Sequence, residues 1–108
     1  MVEAAVINSV QNYLRKLKGQ GFDISFGVVF GSYVTGRANE LSDIDLIVIS
    51  PAFDERITRG YIDNLWEVAA FTDSRIEPVP CGRKQWDTDE CTPIIDIARK
   101  EGQIVNPN

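Results

Sequence analysis

The chain has 108 residues, enough for one domain around one hydrophobic core. It is 44% hydrophobic and 25% charged, an ordinary soluble balance, and no apolar run approaches the roughly 20 residues of a membrane span. Net charge is −5 and histidine is absent. This argues against general duplex nucleic-acid binding and excludes a His general base, a Ser-His-Asp triad and a His-ligated zinc site.

The start, Met1 to Tyr13, lacks the basic stretch and apolar core of a signal peptide, so a cytoplasmic location is expected. Glu3 to Lys18 carries Ile7, Val10, Leu14 and Leu17 at spacings of three and four, which predicts an amphipathic helix. Gly19 and Gly21 stop it. Asp23 to Phe30 reads as a strand. Gly31 to Glu40 reads as a loop or short helix punctuated by Gly31, Ser32, Gly36 and Asn39. Asp43 to Ser50 is a second strand whose run Leu46-Ile47-Val48-Ile49 predicts burial on both faces. Asp54 or Glu55 opens a second helix with the stripe Ile57, Tyr61, Leu65 and Val68. Arg75 to Val79 is a short third strand bounded by Pro80. Thr92 and Pro93 begin a last helix ending at Gly102, and Gln103 to Val105 is a small extra strand. Cys81 and Cys91 are too few for a four-thiolate zinc site and read as reduced thiols.

With these exclusions, chemistry must rest on carboxylates, hydroxyls, backbone amides or a metal held by oxygen. The informative stretch is Gly31-Ser32, then ten residues, then Asp43-Ile44-Asp45. On a strand, residues i and i+2 share a face, with Cα atoms about 6.6 Å apart at about 3.3 Å rise per residue. Both carboxylates then project together while Ile44 and Leu46 face the core. Paired like charges repel, and a hard divalent cation such as Mg²⁺ removes that penalty. The spacing suits one or two ions. Gly31-Ser32 follows an apolar strand, where glycine lets a ligand approach the backbone and nearby amides favour phosphate. Either element alone could be turn chemistry on a solvated surface. The pair places a phosphate cradle beside a metal platform.

Gly31-Ser32-Tyr33-Val34-Thr35-Gly36-Arg37, followed by Ser42-Asp43-Ile44-Asp45-Leu46, resembles the signature of the DNA polymerase beta-type nucleotidyltransferase superfamily. The similarity is to its minimal nucleotidyltransferase (MNT) branch. It spans nearly the whole chain, residues 1–108, as one domain. The resemblance implies an α+β nucleotidyltransferase fold: a small mixed sheet of three core strands with helices packed on one side. It implies that Gly31, Ser32 and Arg37 bind nucleotide, and that Asp43 and Asp45 are catalytic metal-binding carboxylates. The third carboxylate of the family falls on Glu77; Asp73 is the rival, while Asp63 and Glu67 read as an exposed helix face. Tyr33 stands where many relatives carry Arg. Pro78 directly after Glu77 predicts a strand that lies at an edge or ends early.

The activity so implied is Mg²⁺-dependent transfer of a nucleoside monophosphate from a nucleoside triphosphate such as ATP to a hydroxyl, with two Mg²⁺ ions. The chain is little more than the catalytic domain, and the resemblance points to a small helical HEPN-type partner, as in toxin–antitoxin pairs. The alternative is an antitoxin module that neutralises its partner by contact without turnover. Trp66, Trp86 and the Arg83-Lys84 pair read as packing or solvated residues.

Overall fold

Helix α1 (Ala4–Gly19) buries Val6, Val10, Tyr13, Leu14 and Leu17 along one face, the three-and-four spacing of an amphipathic helix. Lys16 and Lys18 occupy its last turn, where cations suit the carbonyl end of the helix. The computed structural model describes residues 2–38, 42–89 and 92–107, with backbone only for Thr35. Asn39, Glu40 and Cys91 lie outside them.

Four strands, β1 (Phe26–Phe30), β2 (Ile44–Ser50), β3 (Ile76–Gly82) and β4 (Gln103–Val105), form one sheet in the order β3-β2-β1-β4. β1 is antiparallel to β2 and β4, whereas β2 and β3 run parallel. The strand carrying the paired aspartates is therefore interior, and β4 adds the small extra strand expected from Gln103 to Val105. β3 lies at the edge, one of the two outcomes that Pro78 allows. It runs past Pro80 to Gly82, because an edge strand needs its amide ladder on one side only.

The connection between the parallel strands β2 and β3 must cross over, and two helices carry it. The single helix expected from Asp54 is broken into α3 (Ala52–Glu55) and α4 (Arg59–Thr72). Thr58 ends the gap by accepting the Tyr61 N–H at 3.1 Å, a true N-cap. Ile57 lies in that gap, 41% exposed, and does not belong to the apolar stripe. Tyr61, Leu65 and Val68 keep their expected inward places.

The layering is two-sided. Val29, Ile44, Leu46 and Val48 face the long helices α1 and α4, matching the expected side. Phe26, Val28, Phe30, Ile47, Ile49 and Cys81 face the other way, against Ile95 and Ala98 of α6 (Pro93–Glu101) and Trp86 of α5 (Arg83–Thr88). The expectation of helices on one side holds only for the long pair. Strands apolar on both faces need a second cover, and short helices supply it. Helix α5 had no periodic signal; Asp54 caps it from a distance, accepting the Lys84 N–H at 3.0 Å and the Gln85 N–H at 3.3 Å.

The α1–α4 seam combines packing with one buried hydrogen bond, from the Tyr13 hydroxyl to the Leu65 carbonyl at 2.8 Å. Burial pushes the Tyr13 phenol up, so it stays a neutral donor. Leu14→Ala should cost about 2–5 kcal/mol, the range for a buried leucine. Tyr13→Phe should cost about 1 kcal/mol. Urea unfolding of both variants checks this; equal losses would mean that the seam rests on the hydrogen bond rather than on packing.

Candidate active site

β1 delivers the chain to the site. Its last residue, Phe30, pairs with Asp45 across the antiparallel ladder. Gly31 follows with φ +77°, the left-handed region that favours glycine. A Cβ at this position would also overlap Asp45 Oδ2. Two independent constraints thus demand glycine, and the backbone is left lying against a carboxylate.

The chain then makes the one-turn helix α2 (Ser32–Thr35), closed by Gly36 at φ +79°. The Val34 N–H donates to Gly31 O at 3.0 Å and the Arg37 N–H to Ser32 O at 3.1 Å. A single turn sums few peptide dipoles, so any attraction for phosphate rests on individual N–H groups and the Ser32 hydroxyl. Ser32 is half-buried, and Arg37 is exposed at the end of the loop.

Asp43 is exposed immediately before β2, and Asp45 is half-buried in it. Ile44 and Leu46 are fully buried toward α1 and α4. Asp45 therefore belongs to the opposite face. The parallel register sets Asp45 beside Glu77 and Ile44 beside Ile76. Ile76 is also buried on the α1–α4 side, so Glu77 shares the face of Asp45.

The electrostatics agree with this crowding. Burial raises the Asp45 carboxyl above its ordinary value, and the Asp43 charge raises it further. Glu77 is raised by burial, then by the Asp43 charge, a hydrogen-bonding contact with Asp43, and the Asp45 charge. The ion pairs among the described residues go to Asp73, Asp87 and Asp96 instead. The donor set, all carboxylate oxygen, fits a hard cation such as Mg²⁺. The three side chains are not drawn in to ligating distance as they stand: among the described residues no three acidic or thiol groups form a closed cation cluster.

Asp73 is otherwise engaged. Its carboxylate accepts from Arg75 Nε at 3.0 Å and Nη2 at 2.7 Å, which holds it below the usual carboxylate range. That leaves Glu77, not Asp73, beside the aspartates. Sequence reasoning missed the pairing of Arg75 with Tyr33. The Arg75 Nη1 donates to the Tyr33 hydroxyl at 3.1 Å across 42 positions, a pairing no local spacing could signal.

The remaining candidates lie apart. Asp63 and Glu67 are exposed on α4, across the sheet from the acids. Trp86 packs edge-on against Phe26 at 6.0 Å beneath the Arg99 guanidinium. Arg83 lies over the Phe26 ring and pairs with Asp87. Cys81 is a buried free thiol pushed up to about 11, which keeps it protonated and inert at neutral pH.

A family model described as a nucleotidyltransferase domain matches residues 7–105. Among solved structures, the chain is similar to a candidate nucleotidyltransferase from Sulfolobus solfataricus. The TM-score is 0.62 with 13% identity, over 91% of this chain and 77% of that one. At that identity the likeness is one of fold. No curated protein matches the chain in sequence.

The raised carboxyls make a signed prediction. Such a group binds its proton more tightly in the fold than in the unfolded chain. Its penalty is full above the folded value and is relieved as pH falls toward the ordinary value, 3.8 for Asp and 4.5 for Glu. Ligand-free Asp45→Asn should therefore be as stable as wild type or more stable at neutral pH, with the gap closing as pH falls into that window. Thermal melts in chelator across pH check it. A clearly destabilised Asp45→Asn at neutral pH would make Asp45 a structural acid.

Proposed function

The chain belongs to the nucleotidyltransferase domain family, and from that membership we propose that it transfers a nucleoside monophosphate from a nucleoside triphosphate, ATP in the first instance, to a hydroxyl acceptor. The observation that carries this reading is the register pair Asp45–Glu77, with Asp43 beside it and the Gly31 backbone against Asp45.

Asp43, Asp45 and Glu77 would hold Mg²⁺, two ions in the full site. When bound, Mg²⁺ neutralises phosphate charge and eases attack by the acceptor hydroxyl on the α-phosphorus. The chain's own groups do the rest. Asp43 and Asp45 offer oxygens from one strand edge. Glu77, whose proton affinity is raised, is suited to take the acceptor's proton as its oxygen bonds to phosphorus. The α–β phosphoanhydride breaks and pyrophosphate leaves. The N–H groups at Gly31 and Ser32, with the Ser32 hydroxyl, would hold the leaving phosphates. Arg37, exposed at the loop end, would add a cation there.

A helical HEPN-type partner, as in toxin–antitoxin pairs, belongs to the same proposal. Ile62, Trp66 and Phe71 of α4 are 38%, 47% and 77% exposed, a large apolar display for one short helix. Helix α4, with Ile62 and Trp66 on one flank and Phe71 on the other, lies across the sheet from the acids. It therefore serves equally the second reading, an antitoxin module that neutralises its partner by contact. A cytoplasmic setting suits either reading, and no described helix is long and apolar enough to cross a membrane.

Ligand linkage tests the catalytic reading without the acceptor. A ligand at a hundred times its dissociation constant stabilises by about 2.7 kcal/mol. In a domain of this size the melting temperature should rise on the order of 10 °C. Mg²⁺ with ATP should give that rise in wild type, and Asp43→Asn should lose most of it. Labelled triphosphate, Mg²⁺ and the partner should yield a labelled product, abolished by Asp45→Asn and strongly cut by Glu77→Gln. An unchanged thermal shift in Asp43→Asn would sink the metal-site reading; partner binding without any transfer would favour the contact module.

A further inference from the structure

Three segments carry the proposed chemistry: the loop at Gly31–Gly36, the lead into β2 at Ser42–Asp45, and the start of β3 at Arg75–Glu77. One side-chain cluster touches all three. Arg75 holds Asp73 bidentately, through Nε at 3.0 Å and Nη2 at 2.7 Å. Its third nitrogen, Nη1, donates to the Tyr33 hydroxyl at 3.1 Å, and its guanidinium carbon lies 5.9 Å from the Tyr33 ring centroid. The Tyr33 hydroxyl in turn donates to the Ser42 carbonyl at 3.2 Å. Two backbone donors complete the frame: the Ile44 N–H donates to Arg75 O at 2.7 Å, and the Arg75 N–H to the Asp73 carboxylate Oδ1 at 3.1 Å.

A one-turn helix does not stand by itself, because nucleating a turn costs more than its few hydrogen bonds return. Helix α2 needs anchors, and Tyr33, packed at the rim of the α1–α4 core, is one of them. Ser32 is its neighbour in the chain, so fixing Tyr33 fixes Ser32. The Arg75 charge is already committed to Asp73, which marks Arg75 as a holder of the loop and not as a phosphate ligand.

We propose that Tyr33, Arg75 and Asp73 form a positioning brace that holds the Gly31–Ser32 loop in register with Asp43, Asp45 and Glu77, and so sets the affinity for the nucleoside triphosphate. The affinity half rests on the function proposed above; the brace itself does not.

The test uses Tyr33→Phe, Arg75→Gln and the double variant. Tyr33→Phe keeps the ring and removes only the hydroxyl, so it should fold even if Arg75→Gln does not. Hydrogen exchange of the ligand-free proteins is read over residues 31–37, with α1 and β1 as internal references. Each single variant should exchange about tenfold faster over 31–37, the size of one lost hydrogen bond. The double variant should be no faster than the faster single, since both changes break one unit. The affinity for Mg²⁺–ATP, by calorimetry, should fall by about the same factor. Unchanged exchange in Tyr33→Phe, effects that multiply in the double variant, or equal acceleration in α1 and β1 would each overturn the brace. A wild type that binds no Mg²⁺–ATP while the exchange pattern holds would overturn the nucleotide reading and its affinity half, and leave the brace standing.

Discussion

The parallel pairing of β2 with β3 puts Asp45 beside Glu77, and the rest of the site depends on it. Left to themselves these carboxylates would separate, since the Asp43 charge raises the proton affinity of both Asp45 and Glu77, and the Asp45 charge raises that of Glu77. The core prevents it. Ile44, Leu46, Val48 and Ile76 are buried against α1 and α4, and a one-residue slip would turn each of them to the wrong face. Hydrophobic burial thus holds a like-charged group in place, and the resulting repulsion is what a cation would relieve.

The loop from β1 meets that acid group through an absence. With no side chain and a left-handed φ, Gly31 lets the backbone lie against Asp45. The donors proposed for phosphate and the acceptors proposed for the metal are therefore neighbours by backbone geometry, not by the reach of long side chains. Short, backbone-set distances suit a reaction whose catalysis is mostly positioning and charge neutralisation.

Features with local periodicity were legible in the sequence. The i, i+2 spacing keeps the Asp43 charge close to Asp45, the three-and-four spacing gave α1, and Pro78 agrees with the edge place of β3. The family resemblance rested on the motif and agrees with the family assignment over residues 7–105. What failed was set at longer range or by a single capping group. Thr58 restarts the helix that Asp54 was expected to open, and Asp54 instead caps α5, thirty residues on. Ile57 looked like part of an apolar stripe because periodicity cannot see a three-residue gap. The second helical layer followed from both-face burial of β1 and β2, a clue present in their apolar runs but not carried through. The Tyr33–Arg75 contact joins residues that only the assembled sheet brings together.

The central claim is that Asp43, Asp45 and Glu77 gather a divalent cation beside the Gly31–Ser32 loop. Mn²⁺ shares the preference of Mg²⁺ for carboxylate oxygen and broadens nearby nuclear resonances. The direct measurement is the amide spectrum of the protein titrated with Mn²⁺ and a non-hydrolysable ATP analogue. Broadening should begin at residues 43–45, 77 and 31–32. Broadening centred instead on the exposed acids of α4, Asp63 and Glu67, with residues 43–45 and 77 left sharp, would contradict that claim.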